Sequence, residues 1–213
     1  MRIFSILAFI LVCSAGLSSE TRVVSRTSKG KTTVAATEIR EIAEGKDLRV
    51  EESGEEGSTS TLVAEDGTVK STEFRAKDGT LLLVSDGKAV AISGNWKDKP
   101  ISGQYDLKGL AFYGEGFKFA ARAFVRGGCA PLEFPMISPT KPSKAMVMKL
   151  TKEGSASFKG SEATKAKVAP SGALALFWSA QLLIDEAGNI LRYEGNQGPG
   201  TADMVTELVE VRE

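Results

Sequence analysis

Any acid–base or nucleophilic chemistry in this chain has to be done without histidine, because the sequence contains none. That excludes a Ser–His or Cys–His nucleophile pair and a His-based zinc or iron centre. Of the two cysteines, Cys13 lies in an N-terminal apolar run and Cys129 follows Gly127-Gly128, close to Arg126. The glycines leave the Cys129 thiol accessible, but without a neighbouring base its reactivity is modest. Cys129 therefore reads as a small apolar side chain, and a dispensable one. Carboxylates are the remaining chemistry. The 27 Asp and Glu residues allow an acid–base pair of the kind that cleaves glycosides, although no spacing singles out two of them. There is no P-loop. Gly114 and Gly116 of "GEGFKF" give two glycines of a dinucleotide fingerprint, without the third and without a parallel βαβ frame. No cofactor and no metal are expected.

The elements that must position any site begin after residue 18. Arg2 is the sole charge before Glu20, and Ile3 to Val12 is apolar except for Ser5. Spanning a bilayer takes about 20 apolar residues, so this run fits the charged start and short apolar centre of a secretory signal. Ser14-Ala15-Gly16 and Gly16-Leu17-Ser18 offer small residues for cleavage. A lipid anchor at Cys13 is the alternative, but it would place the bulky Val12 where such signals carry a small residue. The expectation is a signal peptide over residues 1–18 and a single β-rich domain over 19–213, secreted or periplasmic, with no membrane span after cleavage. The mature chain then keeps one cysteine and cannot form an internal disulfide, so its core must hold it together.

Loss of Arg2 leaves 26 bases against 27 acids, a balance that attracts neither nucleic acid nor an anionic surface. The charges are unevenly placed. Residues 38–66 carry ten acids and three bases, and residues 141–167 carry seven lysines and two glutamates. Two solvated sheet edges explain this, and so does a polarised surface that docks a partner. The stretch "EESGEEGSTS" at 51–60 reads as a mobile loop.

Short β runs joined by turn dipeptides fill the chain. Asp66-Gly67, Asp78-Gly79 and Asp86-Gly87 are hairpin signals. Further breaks fall at Glu44-Gly45, Gly154, Gly160 and Ala187-Gly188-Asn189. About a dozen consecutive strands predict a mainly β fold: a large curved antiparallel sheet or open β-barrel, with a two-sheet sandwich as the alternative. Leu110, Tyr113, Phe117, Ala120, Ala121 and Phe124 recur at helical spacing and predict one covering helix over 115–126, ended by Gly127-Gly128. Prolines at 131, 135, 139 and 142 make the next segment a connector or an edge strand. In a strand over 174–185, Leu174, Leu176, Trp178, Ala180, Leu182 and Ile184 alternate onto one face, as Met146, Met148 and Leu150 do in another. Trp178, Leu176, Leu182, Met146, Met148, Phe117, Phe124 and Tyr113 are the candidate lining of an apolar ligand site. A packed core accounts for them equally.

The closing stretch "ALFWSAQLLIDEAGNILRYEGNQGPG", after a long meander with repeated Asp-Gly turns, resembles the end of a group of uncharacterised secreted bacterial proteins. Their fold is similar to the open β-barrel of the periplasmic lipoprotein carrier. The resemblance spans residues 22–213 in pattern and rests on residues 174–200. It implies a concave apolar face and, as partners, a lipid or a lipidated protein. The expected function is non-enzymatic binding of such a ligand outside the cytoplasm. The alternatives are an assembly protein that grips another envelope protein by a sheet edge or charged face, and a carboxylate-dependent hydrolase or lyase. Intact-mass analysis of secreted protein should give a mature chain starting between Gly16 and Glu20; a diacylated Cys13 at the N-terminus would overturn this.

Overall fold

The computed structural model describes residues 18–114, 116–137, 145–176, 178–195 and 202–213, without the side chains of Leu174 and Leu176. Residues 1–17 of the expected signal peptide, with Cys13, and Pro139 and Pro142 lie outside the described residues, while residue 18 opens the first strand. A first meander comprises β1 (Ser18–Ser28), β2 (Lys31–Glu44), β3 (Asp47–Gly54), β4 (Gly57–Val63), β5 (Val69–Ala76), β6 (Gly79–Ser85), β7 (Ala89–Trp96) and β8 (Lys99–Asp106). Helix α1 (Lys118–Arg126) follows. A second meander comprises β9 (Leu132–Ile137), β10 (Ala145–Phe158), β11 (Ser161–Pro170), β12 (Ala180–Ile184), β13 (Ile190–Gly195) and β14 (Met204–Arg212). All fourteen strands form one antiparallel, nearly closed sheet in the order β8-β7-β6-β5-β4-β3-β2-β1-β14-β13-β12-β11-β10-β9. The curved, barrel-like sheet with one helix is the fold expected from the sequence. The two meanders meet where β14 pairs with β1, Arg26 opposite Thr206, and the free edges are β8 and β9.

Alternation decides which residues face α1. Val50, Thr61, Thr72, Leu83 and Ile92 sit opposite one another on neighbouring strands and are all buried. Their inward-facing row continues the period of two that each strand imposes. Met148 lies opposite Phe134 and Pro170, and Leu182 opposite Ala166 and Tyr193. Phe119, Ala120, Ala121 and Phe124 of α1 are buried among these side chains.

Four local expectations are corrected. Residues 51–60 form the β3–β4 hairpin, with Gly54 paired to Gly57, because Thr59, Thr61 and Val63 continue the alternation beyond an acidic sequence. The break at Gly154 is a bulge inside a continuous β10. The helix starts at Lys118 because Gly114 and Gly116 have φ of 77° and 75°, outside the right-handed helical region; Leu110 and Tyr113 belong to the connector. The strand expected over 174–185 begins at Ala180. Gly172, at φ 79°, turns the chain into a 3₁₀ turn, Gly172–Leu176, because β11 ends at Pro170 and offers no ladder for a longer partner.

Two turns show why particular residues were needed. Asp86 Oδ1 accepts the backbone N–H groups of Lys88 and Ala89, each at 2.8 Å. These two amides hold its carboxyl below the usual aspartate range. In the β12–β13 turn, Gly188 has φ 83° and a Cβ there would lie 2.4 Å from Arg122 Cα. The turn therefore rests directly on the backbone of α1. Gly188→Ala combines a left-handed backbone with an overlap onto main chain, so urea unfolding should show a loss of about 2–5 kcal/mol.

Candidate binding site

Helix α1 is held from several directions. On its apolar side the Phe117 ring, at its N-terminal boundary, stacks on Tyr193 (centroids 6.3 Å apart, planes at 10°) and meets Phe134 edge-on at 6.3 Å. Tyr113 meets Phe134 in the same manner, also at 6.3 Å. Edge-on and offset contacts of this kind are the favoured aromatic geometries. On its polar side Lys118 donates to Glu52 Oε1 at 2.9 Å and Arg122 to Glu41 Oε1 at 2.8 Å. Ile39, Glu41, Val50 and Glu52 alternate on β2 and β3, so the strands that bury valine and isoleucine also aim these carboxylates inward. Arg22 of β1 pairs with Glu20 and donates to Asn189 Oδ1 at 2.9 Å. Asn189 is itself fixed by Asp185 through 2.7 and 2.9 Å bonds.

The sequence candidates fall into two groups on this inner face. Leu182 and Met148 are 0% exposed, Phe124 1%, Trp178 7% and Tyr113 8%. A void able to hold even one water would give its lining accessible area, so Leu182, Met148 and Phe124 border no such void. They pack as core, at native density. Phe117 and Met146 keep partial exposure, as does Tyr193, the inward neighbour of Leu182 that periodicity had not singled out. It was readable as the aromatic position of "ILRYEG" once the pairing was known. Leu176 lies in the 3₁₀ turn, and its side chain is outside the described residues. Met146 near the start of β10, Tyr193 near the end of β13 and Trp178 just before β12 belong to the same end of the barrel, as the antiparallel register requires.

Two open clefts lie mainly on the opposite side of the sheet. One, of about 490 Å³, lies mostly on the outer side of β2–β5 among Arg40, Arg49, Arg75, Glu38, Glu51, Glu73 and several serines. Its charges are largely paired internally, Glu73 with Arg75 and Glu38 with Arg40. The other, of about 520 Å³, sits at the barrel end just described, among Thr27, Ser28, Lys29, Ser179, Ala180, Gln181, Glu194, Gly195, Asp203, Met204 and Val205. Part of the uneven charge of the sequence is neutralised in place: Lys149 pairs with Glu133, Lys165 with Glu153, and Lys70 with Asp47. Cys129 carries a half-buried free thiol at a backbone φ of 60°, and its main-chain N–H caps α1 by donating to the Phe124 carbonyl at 2.9 Å. Among the described residues no group of three potential ligands gathers to hold a metal ion, and no helix is long and apolar enough to cross a membrane.

No family model matches the chain, and no curated protein matches it by sequence. Among solved structures it is similar to a β-barrel-like protein of a domain of unknown function, DUF1849, from Brucella abortus. The TM-score is 0.59 and the identity 10%, over 93% of this chain and 99% of that one. It also matches MucB, at TM-score 0.36 and 13% identity over 91% of this chain and 52% of that one. A putative outer membrane lipoprotein-sorting protein domain from Vibrio parahaemolyticus matches at TM-score 0.31 and 9% identity, over 91% and 84% of the two chains. The first likeness shows the fold, and nothing further rests on the other two.

Burial also leaves a chemical signature. Loss of hydration pushes the Lys118 ammonium below the ordinary lysine value of 10.5, against the opposing pull of Glu52; Arg122 and Arg22 nearby add to the lowering. Below that value the unfolded chain binds this proton more tightly than the folded one, so stability rises as pH climbs from the lowered value toward 10.5. Tyr113 and Tyr193 are raised by burial and oppose the trend only above about pH 10. The urea midpoint of the wild type should therefore rise as pH approaches 10.5 from below, and the same series for Lys118→Met should lack that component.

Proposed function

We propose that the protein is a non-enzymatic, extracytoplasmic binding protein whose ligand is the apolar chain of a lipid or a lipidated protein. The ligand enters at the barrel end where Phe117, Tyr193 and Met146 border solvent, with Trp178 behind them. The observation that supports this most is the gradient along one inner face. Leu182 and Met148 are sealed, while Tyr193 directly opposite Leu182, and Met146 two residues nearer that end than Met148, are partly exposed. A flexible thioether beside stacked rings suits a linear apolar chain of variable shape. The secretory signal read from the sequence supplies the compartment. An outer polar cleft of about 490 Å³ favours a second reading, in which that face grips another envelope protein.

The test is a titration of a Trp96→Phe protein, whose remaining tryptophan is Trp178, with a fluorescent fatty acid. Saturable quenching is expected. Phe117→Ala should weaken it about fivefold or more at a stability cost of about 1–2 kcal/mol. Leu182→Ala, inside the sealed core, should instead cost about 2–5 kcal/mol and leave the affinity of the folded fraction unchanged. No saturable binding in the parent protein would transfer the assignment to the second reading.

A further inference from the structure

An unpaired strand edge recruits other strands unless something blocks it. Most open edges of this sheet are blocked. β9 buries Phe134, Pro135 and Ile137, and proline donates nothing to a ladder. Just past β8, the Leu107 N–H turns toward β7, to the Lys88 carbonyl at 2.8 Å. Alternation then sets Pro100 on the open side of β8. Beyond its pairing with β9, β10 carries Lys152, Glu153 and the Gly154 bulge. β14 loses β13 after Glu207, and there Lys159 Nζ donates to the Leu208 and Val209 carbonyls at 2.9 and 2.7 Å.

The start of β2 is different. β3 ends at Gly54, opposite Thr37, so among the described residues 31–36 pair with β1 alone. All six are exposed. Ser28 and Lys31 flank a two-residue turn, Lys29–Gly30, with positive φ at both positions, which makes them a hydrogen-bonded pair. Lys31, Thr33 and Ala35 therefore bond to β1, while Thr32, Val34 and Ala36 point their amides and carbonyls into the open slot beside β2. No proline, glycine or charge interrupts residues 32–36, and Val34 is 65% exposed. The slot is also polarised. Its head is the β3–β4 turn, Glu55–Glu56, and its foot is Lys29 and Lys31 at the tip of the β1–β2 arm. All four side chains are exposed and make no ion pair among the described residues. A second copy does not fit: paired symmetrically about Val34, its Gly30 would need the place beside Glu38 that Ser53 holds.

We infer that residues 31–36 accept a strand from another protein, an extended segment with a basic N-terminal end, uncharged β-branched residues in its middle and an acidic C-terminal end. It runs antiparallel to β2, as β1 and β3 do, and lies in line with β3. Its basic end then meets Glu55 and Glu56, its acidic end meets Lys29 and Lys31, and its outward residues cover Val34. Main-chain bonds to Thr32, Val34 and Ala36 supply affinity, and the charges set direction. The inference does not depend on the ligand proposed above.

The probes are two N-acetylated, C-terminally labelled peptides, followed by fluorescence anisotropy on the full mature chain. One has two lysines, five alternating valines and threonines, then two glutamates; the other exchanges the charged ends. The first should bind saturably and about fivefold tighter than the second, the scale of exposed ion pairs. Val34→Pro should abolish binding with circular dichroism unchanged, because it deletes an amide that β1 does not use. A protein carrying Glu55→Lys and Glu56→Lys should lose the preference, and it keeps the test decisive if Val34→Pro fails to fold. Fatty-acid quenching should be the same in Val34→Pro as in its parent, which separates this edge from the apolar entrance. No saturable peptide binding, equal binding of the two peptides by the parent, or a preference that survives both variants overturns the inference. Sedimentation showing a dimer that Val34→Pro dissolves would give the edge to a second copy and overturn it as well.

Discussion

A nine-residue helix has to fill the inside of a fourteen-stranded sheet, and that contact organises the molecule. The chain leaves one free edge, β8, and must return at the other, β9, and α1 is the regular segment on the way. Its apolar residues complete the core, and its cations find Glu41 and Glu52. Its backbone carries the weight of the β12–β13 turn at Gly188. The ion pairs are not themselves the source of stability, because partly buried charges repay little beyond their dehydration. Their effect is to fix the rotation of α1, so that Phe119 and Phe124 go inward and Lys118 and Arg122 face the strands.

That fixed helix shapes what the inner face can do. Deep positions are filled by the protein's own side chains, and partial exposure returns on this face where the helix begins. Phe117 sits at that limit, stacked on Tyr193, and it is the point at which packing gives way to accessible apolar surface. Partly exposed apolar side chains and a polar cleft thus share one end of the barrel, on opposite sides of the sheet.

Much of the architecture was legible because strands and Asp-Gly turns are local signals. The alternation of Leu81 with Leu83 or Val90 with Ile92 needs no knowledge of partners. The errors arose where pairing decides the outcome. Leu174 and Leu176 keep perfect alternation with Trp178, yet β11 ends at Pro170 and the ladder cannot extend to them. Residues 51–60 look like a loop by composition, but Thr59 and Thr61 find partners on both sides. At the inner face, hydrophobicity does not separate sealed from exposed positions. Leu182 and Tyr193 are direct neighbours with different exposure, and only the position of α1 distinguishes them.

The seam between β1 and β14 bears on how the chain reaches this state. β14 is the last strand, and it enters the sheet between the first strand and β13. The first meander is ordered by neighbouring hairpins alone, whereas joining it to the second requires the two ends of the domain to meet. Such distant pairing carries a large loop-closure cost and slows folding. Until β14 arrives, β1 and β13 each present an unpaired edge, and unpaired edges recruit foreign strands. A chain emerging N-terminus first from an export channel would hold its first edge open throughout its passage. The order of its strands therefore makes the arrival of β14 the step that removes both open edges at the seam.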